Sequence, residues 1–272
     1  MFFLLSFIGL VRKQVRKTSN FYSYCIEFLK IVAIVFFWNI VGTVETKNSY
    51  GDPPQISVDI PRMKDVHPES KSWWNVELLR DVLLLTVTDE EFLSFFAFLH
   101  DVSKCYIKEL GHVYFGEIGD GPRKVTISLV KSSRGSTQVS AALNVVRTAV
   151  DVFKPKVAFS VGCCAGLRRE QTRLGDIVIS GKLSTLGDKN IVDGKPQRRL
   201  DVPAKIGRLI KSAADGWRPP LKDPEARDVK VHCNAEILFG AEFVNSPNEC
   251  KQLLRQFPEA IANESEGQGE CY

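Results

Sequence analysis

Phe159-Ser-Val-Gly-Cys-Cys-Ala-Gly-Leu167, followed by Leu174-Gly-Asp-Ile-Val-Ile-Ser180, is the stretch that decides how this chain is read. Val157, Phe159 and Val161 are β-forming apolar residues in a short run without proline, which predicts a buried strand. Gly162 and Gly166 predict a glycine-rich turn, where the backbone bends and a ligand comes close because no side chain blocks it. Gly175-Asp176 then opens a turn into Ile177–Ile179, a second short β-branched run. Most glycine-rich turns are merely structural. Framed by two strands, this one has the form of a small-molecule pocket at the end of a sheet.

Outward from that frame, strands alternate with amphipathic segments. Asp81–Val87 is an apolar run that predicts a buried strand. Thr88 follows as a helix N-cap, with Asp89, Glu90 and Glu91 in the first turn and Phe92–Leu99 as the helix body. Tyr106–Ile118 and Lys124–Val130 read as strands. Ser136–Phe153 places Val139, Ala142, Val145, Val146 and Val150 at helical spacing and predicts a crossover helix. Lys182–Pro203 reads as a polar surface loop and Val202–Ala214 as a helix. Val229–His232 and Ala235–Phe239 read as short strands, Pro247–Gln256 as a helix, Ala260–Ala262 as a brief strand, and Glu266 as the start of a further helix.

The 272 residues are enough for one good core plus an extension. Apolar residues make up 44% and charged residues 25%, the balance of a globular protein. A net charge of +4, with no basic run interleaved with aromatics, excludes nucleic acid as the expected partner. The seven cysteines form no CxxC pair and no disulfide framework. Adjacent Cys163 and Cys164 do not readily chelate one metal, and the four histidines are scattered, so no metal site is expected. Reduced thiols in a cytosolic protein are the expected state, which makes the expected location cytoplasmic.

Residues 1–78 read as an N-terminal extension. Met1–Leu10 is apolar, Arg12, Lys13, Arg16 and Lys17 form a basic cluster, and Ile31–Val44 is uncharged and mostly apolar. A membrane span needs about twenty apolar residues, and Lys30 and Glu27 interrupt this one. A signal anchor, a signal peptide, a core helix of the extension and a misplaced start all stay open. An anchor behind the basic cluster would put the rest of the chain outside the cytosol, which conflicts with the unpaired cysteines. Asn48–Lys71, with Pro53, Pro54, Pro61 and Pro68, reads as a polar linker.

From Val82 to Tyr272 the chain resembles the purine nucleoside phosphorylase/nucleosidase superfamily, and within it the 5′-methylthioadenosine/S-adenosylhomocysteine nucleosidases. The resemblance rests on Val82–Phe92 (VLLLTVTDEEF), Lys154–Ser180 (KPKVAFSVGCCAGLRREQTRLGDIVIS) and Phe243–Gly269 (FVNSPNECKQLLRQFPEAIANESEGQG), in that order and at about the family spacing. It implies an α/β fold for residues 79–272, a three-layer αβα sandwich with a mixed central sheet. It also implies a purine nucleoside as ligand, a homodimer and no cofactor.

The implied reaction breaks a purine N-glycosidic bond through an oxocarbenium-like ribosyl centre, so catalysis rests on positioning and on electrostatics aimed at the developing charge. By resemblance, Glu266 of Glu264-Ser265-Glu266 accepts hydrogen bonds from the ribose hydroxyls, with Glu264 and Ser265 beside it in the substrate site. A carboxylate suits that task because it accepts two donors. Glu91 matches the residue that orients and deprotonates the attacking water, although an acid there also serves as a helix cap. Phe243 matches the aromatic that stacks on the purine, and the backbone of Val244 the partner of the base edge. Cys163 and Gly166 line the site, and Cys163 stands where many relatives carry Ser or Thr. A thiol is a weaker donor than a hydroxyl, so phosphate binding is disfavoured and water is the expected nucleophile.

Arg134, in Ser132-Ser-Arg-Gly-Ser136, faces a phosphate on one reading and is a surface turn on the other. Relatives also supply an aspartate beyond the Glu-x-Glu to protonate the purine. Tyr272 comes before that point, so the domain is expected to be truncated: either a fragment, or a module that binds nucleoside without turning it over. The leading expectation is hydrolysis of an adenine nucleoside. A phosphate-dependent phosphorylase is the alternative within enzymes, as is a nucleosidase of adenine nucleotides with Arg134, Arg168 and Arg169 near the phosphates.

Overall fold

Among the described residues eleven strands build one mixed sheet, and helices pack against it. The computed structural model describes residues 2–8, 57–77, 80–119, 124–132, 139–168, 170–173, 175–185, 191–192, 195–196, 200–201, 208, 211–212, 215, 218–219, 221–226, 228–239 and 247–264. In chain order the strands are β1 (Phe2–Ile8), β2 (Glu69–Ser70), β3 (Val82–Thr86), β4 (His100–Ile107), β5 (Gly111–Ile118), β6 (Val125–Lys131) and β7 (Val157–Gly166). They continue with β8 (Ile177–Thr185), β9 (Ile191–Val192), β10 (Lys195–Pro196), β11 (Leu200–Asp201), β12 (Val231–Phe239) and β13 (Ala260–Glu264). The helices are α1 (Asp89–Phe96), α2 (Val139–Phe153) and α3 (Pro247–Gln256).

The sheet runs β1-β8-β12-β13-β7-β3-β6-β5-β4-β2, with β11 on β8, while β9 and β10 pair with each other. β1 also pairs with β7, so β1, β8, β12, β13 and β7 close into a ring. The architecture is the α/β fold with a mixed sheet that the sequence predicts. Among the described residues no helix is long and apolar enough to cross a membrane.

β3 is buried along its whole length, between parallel neighbours β6 and β7, which is why its sequence is an unbroken apolar run. α2 covers one face of this region. Val145, Val146, Ala149, Val150 and Phe153 recur at helical spacing and pack on Leu83, Leu85 and Ala158. The buried rings of Phe153 and Phe115 meet edge to face at 5.6 Å. Truncating an aromatic in such a place removes about 3–5 kcal/mol.

Four local expectations change. The glycine-rich stretch is not a turn: β7 runs straight through Gly162 to Gly166, paired by β1 and then by β13. Antiparallel partners draw those residues into the ladder, and their glycines serve close approach within a strand. Tyr106–Ile118 is not one strand but the turn and second arm of the β4–β5 hairpin, with Gly111 at φ 75° just after Lys108–Leu110. The expected loop from Lys182 begins as strand, since β8 continues to Thr185, and β9, β10 and β11 follow. The two short strands expected at 229–239 are one strand, β12, with an irregular register against β8 between His232 and Ala235. Most of the helix expected at 202–214 and the one expected at Glu266 lie outside the described residues. Residues 57–71 of the expected linker hold a 3-10 turn, Met63–Asp65, and β2, which pairs with β4.

The β12 irregularity has a clear cause. Asn234 takes φ 58°, a left-handed conformation that Asn tolerates better than most residues, and bulges toward β8. Gly181 lies beneath it, where a β-carbon would stand 2.5 Å from the Asn234 Cα and 2.7 Å from its carbonyl carbon. Backbone cannot swing aside as a side chain does. Gly181→Ala is expected to destabilise the protein by about 1–3 kcal/mol, as overpacking does. Urea unfolding at fixed pH measures it.

Candidate active site

β7 is longer than the strands flanking it. β3 runs parallel to its first half and ends at the Leu85–Ser160 pair. β13 runs antiparallel along its last two residues, through Ala262–Gly166 and Asn263–Ala165, so its C-terminal end also points toward the middle of β7. The two strands therefore direct their carboxyl ends at Val161–Cys164. Crevices beyond the carboxyl ends of strands are where α/β sheets bind ligands.

Each end delivers a glutamate. After β3 the chain turns at Val87 and Thr88 into α1, which starts with a capping box: Thr88 Oγ1 accepts the Glu91 N–H at 3.2 Å, and Glu91 Oε2 accepts the Thr88 N–H at 3.0 Å. The Val87 N–H donates to the same Oε2 at 2.8 Å. With that oxygen fixed, Oε1 is directed at β7. Glu264 is the last residue of β13. A β-carbon on Gly162 would stand 3.0 Å from Glu264 Oε1 and 3.8 Å from Glu91 Oε1. Two carboxylate oxygens thus converge over a glycine that has no side chain to separate them.

Electrostatically this is a tense arrangement. Glu91 is only 3% exposed. Burial is the main cause that pushes its carboxyl above the ordinary glutamate range, and the Glu90 charge adds to it, while the N–H donors of Thr88 and Val87 pull the other way. Cys164 lies buried beside Glu264; burial and then the Glu264 charge push its thiol well above the usual cysteine range. It is a thiol, not a thiolate. Asp89, the neighbouring acid, is paired with Lys131 at the end of β6. Among the described residues no three His, Cys, Asp or Glu side chains gather to hold a metal ion.

Of the residues singled out in the sequence, Glu91, Glu264 and Gly166 lie around this one stretch of β7. The Cys163 backbone is part of β7 and pairs with Phe3 of β1. Phe243, Val244, Ser265, Glu266, Arg134 and Arg169 lie outside the described residues. Arg168, considered for nucleotide phosphates, is committed elsewhere: Nε donates to the Ala260 carbonyl at 3.0 Å and a second guanidinium nitrogen donates to the Pro258 carbonyl. It ties the entry of β13 to the end of β7. The close approach of Glu264 to Gly162 was not foreseen, because it depends on β13 running antiparallel to β7.

No protein-family model matches the sequence. The chain is 25% identical over 174 residues to a death domain-containing ATP nucleosidase of Amphimedon queenslandica, covering 58% of this chain and 32% of that protein. It is 30% identical over 148 residues to the 5′-methylthioadenosine/S-adenosylhomocysteine nucleosidase of Buchnera aphidicola from Acyrthosiphon pisum (strain APS), covering 52% of this chain and 57% of that protein. The matches thus span about a third and just over half of those relatives' own lengths. Among solved structures, S-adenosylhomocysteine nucleosidase from Streptococcus pyogenes in complex with 5-methylthiotubericidin superposes with a TM-score of 0.53 at 18% identity, over 69% of this chain and 74% of that one.

The buried carboxyl gives a stability prediction with a definite sign. A glutamate whose folded-state value lies above its unfolded one binds more protons when folded, so stability falls as pH rises from the ordinary glutamate range through the raised value. Glu91→Gln keeps an oxygen for the Val87 and Thr88 N–H groups and removes the charge. Thermal melts from pH 4 upward are expected to show the variant without that decline and at least as stable as the parent at neutral pH. Thr88→Ala, by contrast, loses the cap and about 1 kcal/mol at every pH.

The sequence relatives and structural neighbours of this chain are nucleosidases of the purine nucleoside phosphorylase/nucleosidase superfamily, and the chain carries that superfamily's fold.

Proposed function

We propose that this chain forms the sugar-side half of an adenine-nucleoside N-ribosyl hydrolase site, with Glu91 as general base. The observation that carries this reading is the placing of a buried carboxylate, one oxygen anchored and the other aimed across Gly162, at the meeting point of two strand ends. A base for water must be held rigidly and must not be drained of basicity by a full set of donors. Oε2 takes the anchoring bonds, and Oε1 is the proton acceptor.

In this reaction a water lone pair forms the new O–C1′ bond and the C1′–N9 bond breaks. One water proton passes to Glu91 Oε1. The bonding pair leaves with the base, which takes up a proton. Glu266 grips the ribose hydroxyls, Phe243 stacks on the purine and Val244 meets its edge, as the resemblance implies. The named relatives act on ATP and on 5′-methylthioadenosine or S-adenosylhomocysteine, which share an adenine nucleoside and differ at the 5′ position. Burial, which pushes the Glu91 carboxyl above the ordinary glutamate range, makes it a stronger proton acceptor than an exposed glutamate. A cytosolic homodimer is part of the same proposal, and light scattering of the purified chain measures the second half of it.

The decisive assay incubates the chain with adenosine, 5′-methylthioadenosine and ATP, each with and without phosphate, and separates the products by chromatography. Adenine release independent of phosphate is expected. Dependence on phosphate would make the enzyme a phosphorylase, and no base from any substrate would remove the reading. Glu91→Gln and Glu266→Gln are each expected to reduce release by about 10²–10⁴-fold.

A further inference from the structure

We propose that β1 is a positioning element of the site: residues 2–8 hold Val161–Cys164 of β7 extended, and Glu91 works across Gly162 only while β1 is docked. For its consequence in turnover this rests on the hydrolase reading. It goes beyond that reading by bringing into the site a segment that precedes the part of the chain resembling the nucleosidases. β3 pairs with β7 over Val157–Ser160, and β13 pairs with it over Ala165–Gly166. Among the described residues, the four residues between, Val161–Cys164, find a ladder partner only in β1, through Leu5, Leu4, Phe3 and Phe2.

Those four residues are poorly suited to stay extended alone. Gly162 has no side chain to pack and weakens a strand, and the local sequence favours a turn. The ladder to β1 is what the fold sets against that turn. β1 is held on its other edge as well, where Phe3, Leu4 and Leu5 run parallel to Ile177, Val178 and Ile179 of β8. β8 depends on it less, since β12 pairs with Ile177 and Val178 from the opposite side. The Glu91 carboxylate is anchored by the Val87 and Thr88 N–H groups, which belong to the turn after β3 and not to β7. Its Oε1 stands 3.8 Å from where a Gly162 β-carbon would be. The base is therefore fixed by one element and the floor beneath it by another. If the floor shifts while the base stays, the reacting groups lose their alignment, and a misplacement of about 1 Å costs roughly a hundredfold in rate.

Native-state hydrogen exchange on the unaltered full chain is the first test. The amides of β1 and the amides of Val161–Cys164 that bond it are expected to open together, as one unit. Amides of Val161–Cys164 that stay protected after β1 has opened would overturn the proposal. Leu4→Pro and Leu5→Pro then break the ladder: N–H groups alternate between the two neighbours along a strand, so one variant loses a bond to β7 and the other a bond to β8. In both, Val161–Cys164 is expected to lose protection, while β8 against β12 and β3 against β6 keep theirs. Turnover is expected to fall by about tenfold to a hundredfold in kcat, with KM changing far less, because the base is misplaced and not removed. Leu4→Val keeps the N–H and suits a strand, so it is expected to behave as the parent. Retained protection in the proline variants, or lost protection with unchanged kcat, would sink the idea. A raised KM at constant kcat would do so too, since β1 would then shape binding and not the placing of the base. Should a proline variant fail to fold, the exchange comparison on the unaltered chain decides alone. Absence of base release from the unaltered chain removes only the hydrolase reading, and exchange still shows whether β1 holds the strand.

Discussion

Two backbone N–H groups, from Val87 and Thr88, hold one oxygen of a buried carboxylate and so decide where its other oxygen goes. Everything at the site follows from that constraint. A glutamate taken almost wholly out of water would ordinarily fold back to solvent or stay protonated. Here the turn into α1 supplies both donors and the helix its positive end, which together offset part of the burial. The capping box is usually a device of helix stability. In this chain the same bonds also aim Oε1, so the cap and the role proposed for Glu91 draw on one geometry.

The second constraint is the length of β7. Because it outruns β3 at one end and is met by β13 from the other, a stretch around Gly162 receives the termini of both. Glycine leaves room there for the Glu264 carboxylate, whose Oε1 would stand 3.0 Å from a β-carbon at that position. A turn at Gly162–Gly166 would have sent the chain away from β13, and the two glutamates would not meet. The strand has to continue for the site to exist. Apolar burial along β3 and α2 then holds this frame rigid, since the core beneath it is packed around Phe153 and Phe115.

How much of this could be read in advance differs by element. β3, α1, α2 and α3 were legible because their signals are local: an unbroken apolar run, a Thr-x-x-Glu cap, and apolar residues at helical spacing. Glu91 was legible as part of that cap, while the role proposed for it came from the family resemblance. The continuation of β7 through its glycines was not, because glycine lowers strand propensity and only pairing with β1 and β13 reverses that. The β12 bulge was missed since it depends on Asn234 lying over Gly181, one residue from each of two strands. Glu264 was ambiguous in sequence: an acid ending an apolar run is as readily solvated as buried. Only the antiparallel register against β7 decides its direction.

That register is itself held by charge. Arg168, just past β7, clamps the carbonyls of Pro258 and Ala260, and the Leu167 N–H donates to Ile261 at 2.8 Å, so β13 enters already fixed against β7. On its far side β13 pairs with β12, and β12 is locked to β8 by a buried set: Glu236 accepts from Ser184 Oγ at 2.6 Å and faces Lys182 Nζ at 3.0 Å. At the start of the same two strands, buried Asp176 accepts the N–H groups of Arg173 and Lys230 and bonds His232 at 2.9 Å. Buried ion pairs often add little net stability, but removing one partner leaves a costly charge behind. Such pairs therefore penalise a slipped register more than they reward the correct one. A slip of one residue in β13 would turn Glu264 to the opposite face of the sheet. The polar groups buried between β8 and β12 thus fix the strand on which β13 is registered, and through it the carboxylate at the end of β13.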